Sequence, residues 1–306
     1  MLPAYAAQFP AEFKRLSAEV LARIRGEHEA SPRYDTSQPS DADVLEANGV
    51  SVVDVRACYV DTERGGRVLV ADLGTTDPLD AVGVEDYVAD RIRSEGRNVM
   101  FLESRPVQCM FGALMWLWIQ DPQDERCRPV LFGGRDSVES DEQGLIGCML
   151  PDDFGSAGHA HRRAVALDAH MSWLPDDTEE LLWLYDYWLE PSRSLRQYLW
   201  AYTPDVEERA RSLIRVLGSS WTRRTLRFLA QDYWGRYCGW PDLLAWHPRL
   251  TGSGVFELIE VKSSKDKLTS DQRRWVTENS ATLHLPFRIV KVHRTEGLRQ
   301  QPPGSG

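Results

Sequence analysis

The stretch from Gly239 to Trp275, GWPDLLAWHPRLTGSGVFELIEVKSSKDKLTSDQRRW, constrains this chain more than any other. It holds two short apolar runs, Leu243–Trp246 and Val255–Val261, on either side of Pro248 and the turn-forming Thr251-Gly252-Ser253-Gly254. Two such runs around a Gly/Ser break predict a β-hairpin. Side chains alternate along a strand, so Glu260 and Lys262 share one face while Val261 points the other way, into a core. Asp242 opens the first strand, where the hairpin can bring it beside Glu260. Thr269-Ser270-Asp271 offer helix caps ahead of Gln272–Glu278, and Leu285–Val292 reads as a last strand.

The chemistry of that spacing is specific. Two carboxylates converging on one point repel each other unless a cation sits between them. Mg²⁺ takes hard oxygen ligands and keeps several waters, so it fits such a pair. A metal so held polarises a phosphoryl oxygen and lowers the pKa of a water. Lys262, on the same face as Glu260, would reach that water or a phosphate. A Glu-x-Lys triplet alone is common on surface strands. Pro241-Asp242 before one strand, Glu260-Val261-Lys262 on the next and a helix bearing Gln272 behind them form a far narrower combination.

These residues resemble the VRR-NUC nucleases of the PD-(D/E)XK superfamily, the family that includes the Fanconi-associated nuclease. Leu213-Ile214-Arg215-Val216-Leu217-Gly218, Arg227-Phe228-Leu229-Ala230-Gln231-Asp232-Tyr233 and Gly239-Trp240-Pro241-Asp242 follow that family's order, and the likeness continues through Asp266, Leu268, Gln272 and Trp275. The resemblance implies Asp242 and Glu260 as metal ligands, the Val261 carbonyl as a further ligand, Lys262 as the catalytic lysine and Mg²⁺ or Mn²⁺ as cofactor. Gln272 would orient Lys262 or a phosphate, with a plain helix-cap contact as the alternative. The family also carries a Glu at the start of an upstream helix. Glu103, ahead of Phe111-Gly112-Ala113-Leu114-Met115-Trp116, fits that place. A Glu favoured by the positive end of a helix is the competing explanation. Where the family's eukaryotic member places basic residues for a terminal 5′ phosphate, this chain has Trp234 and Asp271, which argues against measuring from such a phosphate.

A net charge of −10 would ordinarily count against a nucleic-acid enzyme, but DNA responds to local fields. Between Arg209 and Cys238 lie Arg209, Arg211, Arg215, Arg223, Arg224, Arg227 and Arg236 against Asp232 alone. Lys262, Lys265, Lys267, Arg273 and Arg274 continue the basic character, whereas Asp152–Glu190 is rich in acid. Part of the arginine run is a solvated helix face. The rest is assigned to phosphate contacts, with Arg223, Arg224, Arg227, Arg236, Lys265 and Lys267 as the DNA-binding set.

The 306 residues suffice for one large or two modest domains, and 42% hydrophobic content with 11 Trp belongs to a folded chain. No run of apolar residues is long enough for a membrane span, and the start lacks the pattern of a secretion signal, so the expectation is a cytoplasmic protein. Five cysteines without CxxC spacing argue for a reducing compartment and against structural zinc.

In chain order, residues 10–27 read as a helix, Ala30–Asp43 as a linker, and Val50–Val60 and Val68–Leu73 as strands joined through Thr62–Gly66. Asp86–Arg97 reads as an amphipathic helix and Pro129–Phe132 as a short strand. Asp136–His170 reads as irregular and polar, with His159 and His161 in a surface loop rather than a metal site. Glu179–Leu189, Ser192–Tyr202, Pro204–Val216 and Ser220–Tyr237 read as helices, with Trp183, Trp188, Trp200 and Leu184 as packing residues.

The expected architecture is an α/β PD-(D/E)XK restriction-endonuclease-like core over residues 81–296. A helical insert of about residues 134–237 would interrupt it, with a disordered tail over 297–306 and an N-terminal extension over 1–80 that is either an accessory domain or an extension of the nuclease sheet. Three functions compete. The first is a metal-dependent DNA nuclease specific for branched, flapped or splayed structures and their single/double-strand junctions. The second is a VRR-NUC nuclease toxin delivered into rival cells, which would imply an immunity protein as partner. The third is a non-catalytic DNA-binding scaffold, which the intact Asp242, Glu260 and Lys262 disfavour.

Overall fold

A computed structural model of the chain describes residues 22–23, 40–58, 82–133, 145–193, 203–248 and 255–295. Its strands are β1 (Ser51–Cys58), β2 (Asn98–Phe101), β3 (Cys127–Gly133), β4 (Leu145–Pro151), β5 (Leu243–Trp246), β6 (Phe256–Ser263) and β7 (Phe287–Thr295). Its helices are α1 (Asp41–Ala47), α2 (Val84–Ser94), α3 (Arg105–Leu114), α4 (Trp116–Ile119), α5 (Ala157–Arg162), α6 (Ala164–Trp173), α7 (Thr178–Ser192), α8 (Pro204–Gln231), α9 (Tyr233–Arg236) and α10 (Ser270–Glu278). The chain divides into two compact units. A sheet unit takes Pro39–Phe101, Pro241–Thr269 and His284–Gly306, and a helical unit takes Met1–Gln38, Leu102–Trp240 and Ser270–Leu283.

The sheet unit is built on five strands in the order β1-β7-β6-β5-β2. β5 and β6 form the antiparallel hairpin that the Gly/Ser break predicts, while β7 runs parallel to both β6 and β1. Parallel pairing needs a crossover connection, and α10 lies in the one between β6 and β7. One face of the sheet is apolar: Val55 and Ala57 of β1, Leu243 and Ala245 of β5, Ile259 and Val261 of β6, and Val290 and Val292 of β7 pack with Val88, Ala89 and Ile92 of α2. Each such side chain is worth about 1.5–3 kcal/mol when fully buried. Val88 and Ile92 recur one turn apart, which is why α2 sits on this face. Glu85 and Asp86 in its first turn and Arg91 and Arg93 in its last oppose the helix dipole, and Gly96 at φ +78° follows the helix.

β1 therefore belongs to the same sheet as the hairpin, as its edge strand, and of the two possibilities for the segment before residue 80 this strand fits an extension of the nuclease sheet. α1 begins at Asp41, inside the expected linker, because Ser40 and Asp43 form a reciprocal capping box. The helix expected over 10–27 falls almost wholly outside the described residues. The Thr62–Gly66 turn, the Val68–Leu73 strand, most of the Ser192–Tyr202 helix and the 297–306 tail lie outside them too.

The helical unit centres on α3, in which every residue from Pro106 to Leu114 is buried. A wholly buried helix must satisfy its polar groups internally, and Gln108 does so by donating to the Tyr237 carbonyl at 3.0 Å. α8 packs on α3 and consists of two helical stretches that meet at a kink at Gly218 (φ +69°, ψ 172°), where the break between the two expected helices falls.

Three further expectations for this unit are corrected. The described part of the segment Asp136–His170, from Leu145 on, is not irregular: it contains β4, paired antiparallel to β3, followed by α5 and α6. His159 is not on a surface loop. It is 0% exposed in α5, with its ring 4.6 Å from that of Trp118 and 5.6 Å from that of Phe154. Aromatic neighbours and burial make it a core residue. Trp183, expected to pack, is instead 65% exposed and stacks on Tyr187 along the outside of α7, while Leu184 is buried as expected.

Candidate active site

In the β5–β6 register Leu243 faces Ile259. One step further along the same ladder Asp242 comes opposite Glu260, so their side chains leave the same face of the sheet. That face is the one opposite the α2 core, because Val261 is buried in the core and its neighbours on β6 point away from it. Asp242 Oδ2 accepts the backbone N–H of Val261 at 2.8 Å. Lys262 Nζ lies 2.6 Å from Glu260 Oε1. The three side chains singled out in the sequence are therefore gathered at one point of the sheet unit.

Glu260 is 2% exposed. Burial first, and then the negative charge of Asp242, push its carboxyl up to about 8, against the pull of Lys262. Burial also raises Asp242, while the Val261 N–H and Lys262 hold it down. The two carboxyls share a hydrogen bond. They keep a proton because two buried like charges cannot both ionise without a compensating cation. Glu85, in the first turn of α2, adds its negative charge to the rise at Asp242. No sequence pattern singles out that acid, which lies one residue ahead of the helix expected over Asp86–Arg97. Its proximity comes from α2 packing on the sheet, which no local pattern signals.

A buried, mutually repelling pair of carboxyl groups with an aligned lysine offers hard oxygen donors suited to Mg²⁺ or Mn²⁺. Among the described residues no group of three or more His, Cys, Asp or Glu side chains gathers as a metal site. Within the sheet unit the carboxyl oxygens of Asp242 and Glu260 could hold such an ion, with the Val261 carbonyl on the strand between Glu260 and Lys262.

Glu103 and Gln272 belong to the helical unit. Glu103 is exposed just before α3 at φ +49°, a conformation that non-glycine residues seldom adopt. Gln272 is half-buried on α10.

The arginines assigned to DNA have partners within the helical unit. Arg223 pairs with Asp176, Arg227 with Asp168 at 2.6 Å, and Arg236 with Glu278 at 3.0 Å. Arg224 lies over the Trp221 ring and donates to the Thr282 carbonyl at 3.2 Å. Arg236 is the most committed, since it also donates to the Phe228 carbonyl and covers that residue's ring. Lys265 and Lys267 are exposed in the turn after β6. Trp234 is held by main chain: its indole N–H donates to the Phe154 carbonyl at 2.7 Å, and its ring fills the space beside Gly155. Asp271 pairs with Arg274.

Residues 179–294 match the VRR-NUC domain family. The chain is 40% identical over 200 residues to a Fanconi-associated nuclease 1 homolog of Arabidopsis thaliana, a match covering 63% of this chain and 20% of that protein. It is 31% identical over 134 residues to Fanconi-associated nuclease 1 of Homo sapiens, covering 42% of this chain and 13% of that one. The fold is similar to that in the crystal structure of paFAN1 bound to 2nt 5′flap DNA with gap. That likeness has a TM-score of 0.55 at 19% identity over 96% of this chain and 46% of the other. The chain thus spans about a fifth of the length of the plant relative it matches. The resemblance read from the sequence holds, and the mixed five-stranded sheet with its helices is a PD-(D/E)XK-like α/β fold.

Proposed function

We propose that this chain, which carries a VRR-NUC match over residues 179–294, is a divalent-metal-dependent nuclease that hydrolyses phosphodiester bonds in branched, flapped or splayed DNA. The observation that carries the proposal is the placement of Lys262 Nζ 2.6 Å from Glu260 Oε1, beside a second buried carboxyl. The names of the relatives and the flap DNA held by the structural neighbour support DNA as the substrate class.

Mg²⁺ or Mn²⁺ held by Asp242 and Glu260 would supply Lewis acidity toward a phosphoryl oxygen and lower the pKa of a water. Glu260 and Asp242 share a proton in the metal-free protein, and a cation between them would favour both as carboxylates, with that proton released to solvent. The Val261 N–H keeps Asp242 in its orientation, and the Val261 side chain anchors the strand in the core. Little reorganisation is then needed when the substrate arrives. Lys262 orients the attacking water or contacts the scissile phosphate. The family resemblance adds Glu103 as a third carboxylate, the Val261 carbonyl as a further ligand and Gln272 as an orienting residue. The positive φ of Glu103 supports a functional role, since such strain persists where selection maintains it.

The test is cleavage of a labelled panel of single strand, duplex, 5′ flap, 3′ flap and splayed arm with Mg²⁺ or Mn²⁺. Metal-dependent cutting of the junction-bearing members, lost in Lys262→Ala, is the expected result. Robust cutting in EDTA would overturn the metal mechanism.

A further inference from the structure

The sheet face that bears Glu260 and Lys262 continues onto the next two strands. Glu260 pairs with Ile289 and Lys262 with Lys291 across the β6–β7 ladder, and Ile289 pairs in turn with Val52 of β1. Over this floor, with α1 forming one wall, lies a cavity of about 380 Å³. Its aliphatic lining comes from Leu45, Val50, Val52 and Ile289, and both Lys262 and Lys291 reach it. The size is within the range of about 300–1,000 Å³ typical of small-ligand sites.

The polar groups around it divide by role. Asp41 Oδ2 accepts the Leu268 N–H and Asp266 Oδ2 accepts the Ser263 N–H, each at 3.0 Å. These acids fasten the turn after β6 to α1 and to itself, which gives the cavity a fixed wall. Lys291 is half-buried, and among the described residues its ammonium closes no ion pair. A half-buried cation without a carboxylate partner favours an anionic ligand.

We propose that this cavity is a nucleotide subsite. It takes one nucleotide of the DNA strand next to the scissile phosphate, with its base against the aliphatic wall and its phosphodiester at Lys291. The subsite rests on the nuclease reading, because Lys262 is shared between the two places. Aliphatic side chains carry no hydrogen-bond pattern, so the base is held without its identity being read.

The experiment walks a single abasic residue along the strand of a junction substrate and measures binding by fluorescence anisotropy in EDTA, where no cutting occurs. Cleavage is mapped in parallel with Mg²⁺. Loss of one base at the subsite position should weaken binding by about tenfold, the scale set by one stacked or packed base. Leu45→Trp, which fills the cavity, should weaken binding of the intact strand similarly and erase the abasic penalty. Should Leu45→Trp fail to fold, Lys291→Gln serves as the second variant. It should weaken binding and lower the salt dependence by about one counterion. A flat abasic walk overturns the subsite, as does a penalty unchanged in Leu45→Trp or an unaltered salt slope in Lys291→Gln. A flat walk with normal cleavage leaves the nuclease reading standing. A position-specific penalty without metal-dependent cleavage removes the nuclease and, with it, the subsite as a place beside a scissile phosphate.

Discussion

The carboxylate of Asp242 is aimed by the backbone of the strand that carries its partner: Val261 donates its N–H to Asp242 Oδ2 at 2.8 Å. Asp242→Asn keeps an oxygen that can accept this bond but loses the charge. It should retain the fold and thermal midpoint of the parent while cleavage with Mg²⁺ falls by about a hundredfold or more. Single-turnover cleavage alongside a melting curve separates the two effects, and parent-like cleavage would remove Asp242 from the metal site.

Glu260 gives a stability signature in the metal-free protein. Its folded-state carboxyl is pushed up to about 8 from an ordinary value of 4.5. The unfolded chain therefore releases this proton first as pH rises, and stability is lost between those two values. Glu260→Gln removes the titration, so in EDTA it should be more stable than the parent at pH 8. The gain should be on the order of 1–3 kcal/mol, and it should vanish near pH 5. Urea midpoints at the two pH values check the sign, and saturating Mg²⁺ should reverse the order of stability at pH 8.

His159 predicts acid sensitivity of the helical unit. Burial holds its imidazole down to about 4, from an ordinary 6.5. The unfolded chain takes up the proton first as pH falls, so stability declines from about pH 6.5 and the loss is complete below about pH 4. The full term amounts to roughly 3 kcal/mol. His159→Phe should flatten the pH dependence of the denaturation midpoint across that window. An unchanged slope would place the acid sensitivity elsewhere.

Arg223 and Arg227 are held by exposed carboxylates, and such surface pairs are worth only about 0–1 kcal/mol. Phosphates can therefore compete for them. Charge reversal at Arg223, Arg224 and Arg227 should lower the salt dependence of DNA binding by about one counterion per lost contact. If slope and affinity stay as in the parent, the basic surface lies with Lys265 and Lys267 instead.

Glu103 combines a positive φ with an exposed carboxylate. Glycine accepts that backbone freely, so Glu103→Gly should raise stability by about 1 kcal/mol while weakening metal-dependent cleavage. Glu103→Gln should weaken cleavage without the gain. Unimpaired cleavage in both variants would reduce Glu103 to a helix-entry residue.

The hairpin and its three site residues were legible because period-two alternation and a Gly/Ser break are local signals, and they set the faces of Glu260, Val261 and Lys262 directly. Glu103 was reachable only through family resemblance, since no local pattern links it to a hairpin so distant in sequence. Whether β1 joined the nuclease sheet or an accessory domain stayed open in the sequence, because parallel pairing to β7 leaves no mark in nearby residues. His159 and Trp183 were misplaced for a related reason: composition describes what a segment prefers, whereas burial depends on which element comes to lie against it. The partners of Arg223 and Arg227 were hidden likewise, as the acids that meet them come from α6 and the loop before α7.

The strand order β1-β7-β6-β5-β2 has a consequence for synthesis. The two edge strands are the first to leave the ribosome and the three central ones the last. β1 waits for its partner through most of translation, and such distant pairings form slowly. A chain arrested before β7 would hold Asp242, Glu260 and Lys262 on a β5–β6 hairpin supported from one side only, its other edge open where β7 belongs. The full support of Glu260 from both neighbouring strands would then arrive only with β7.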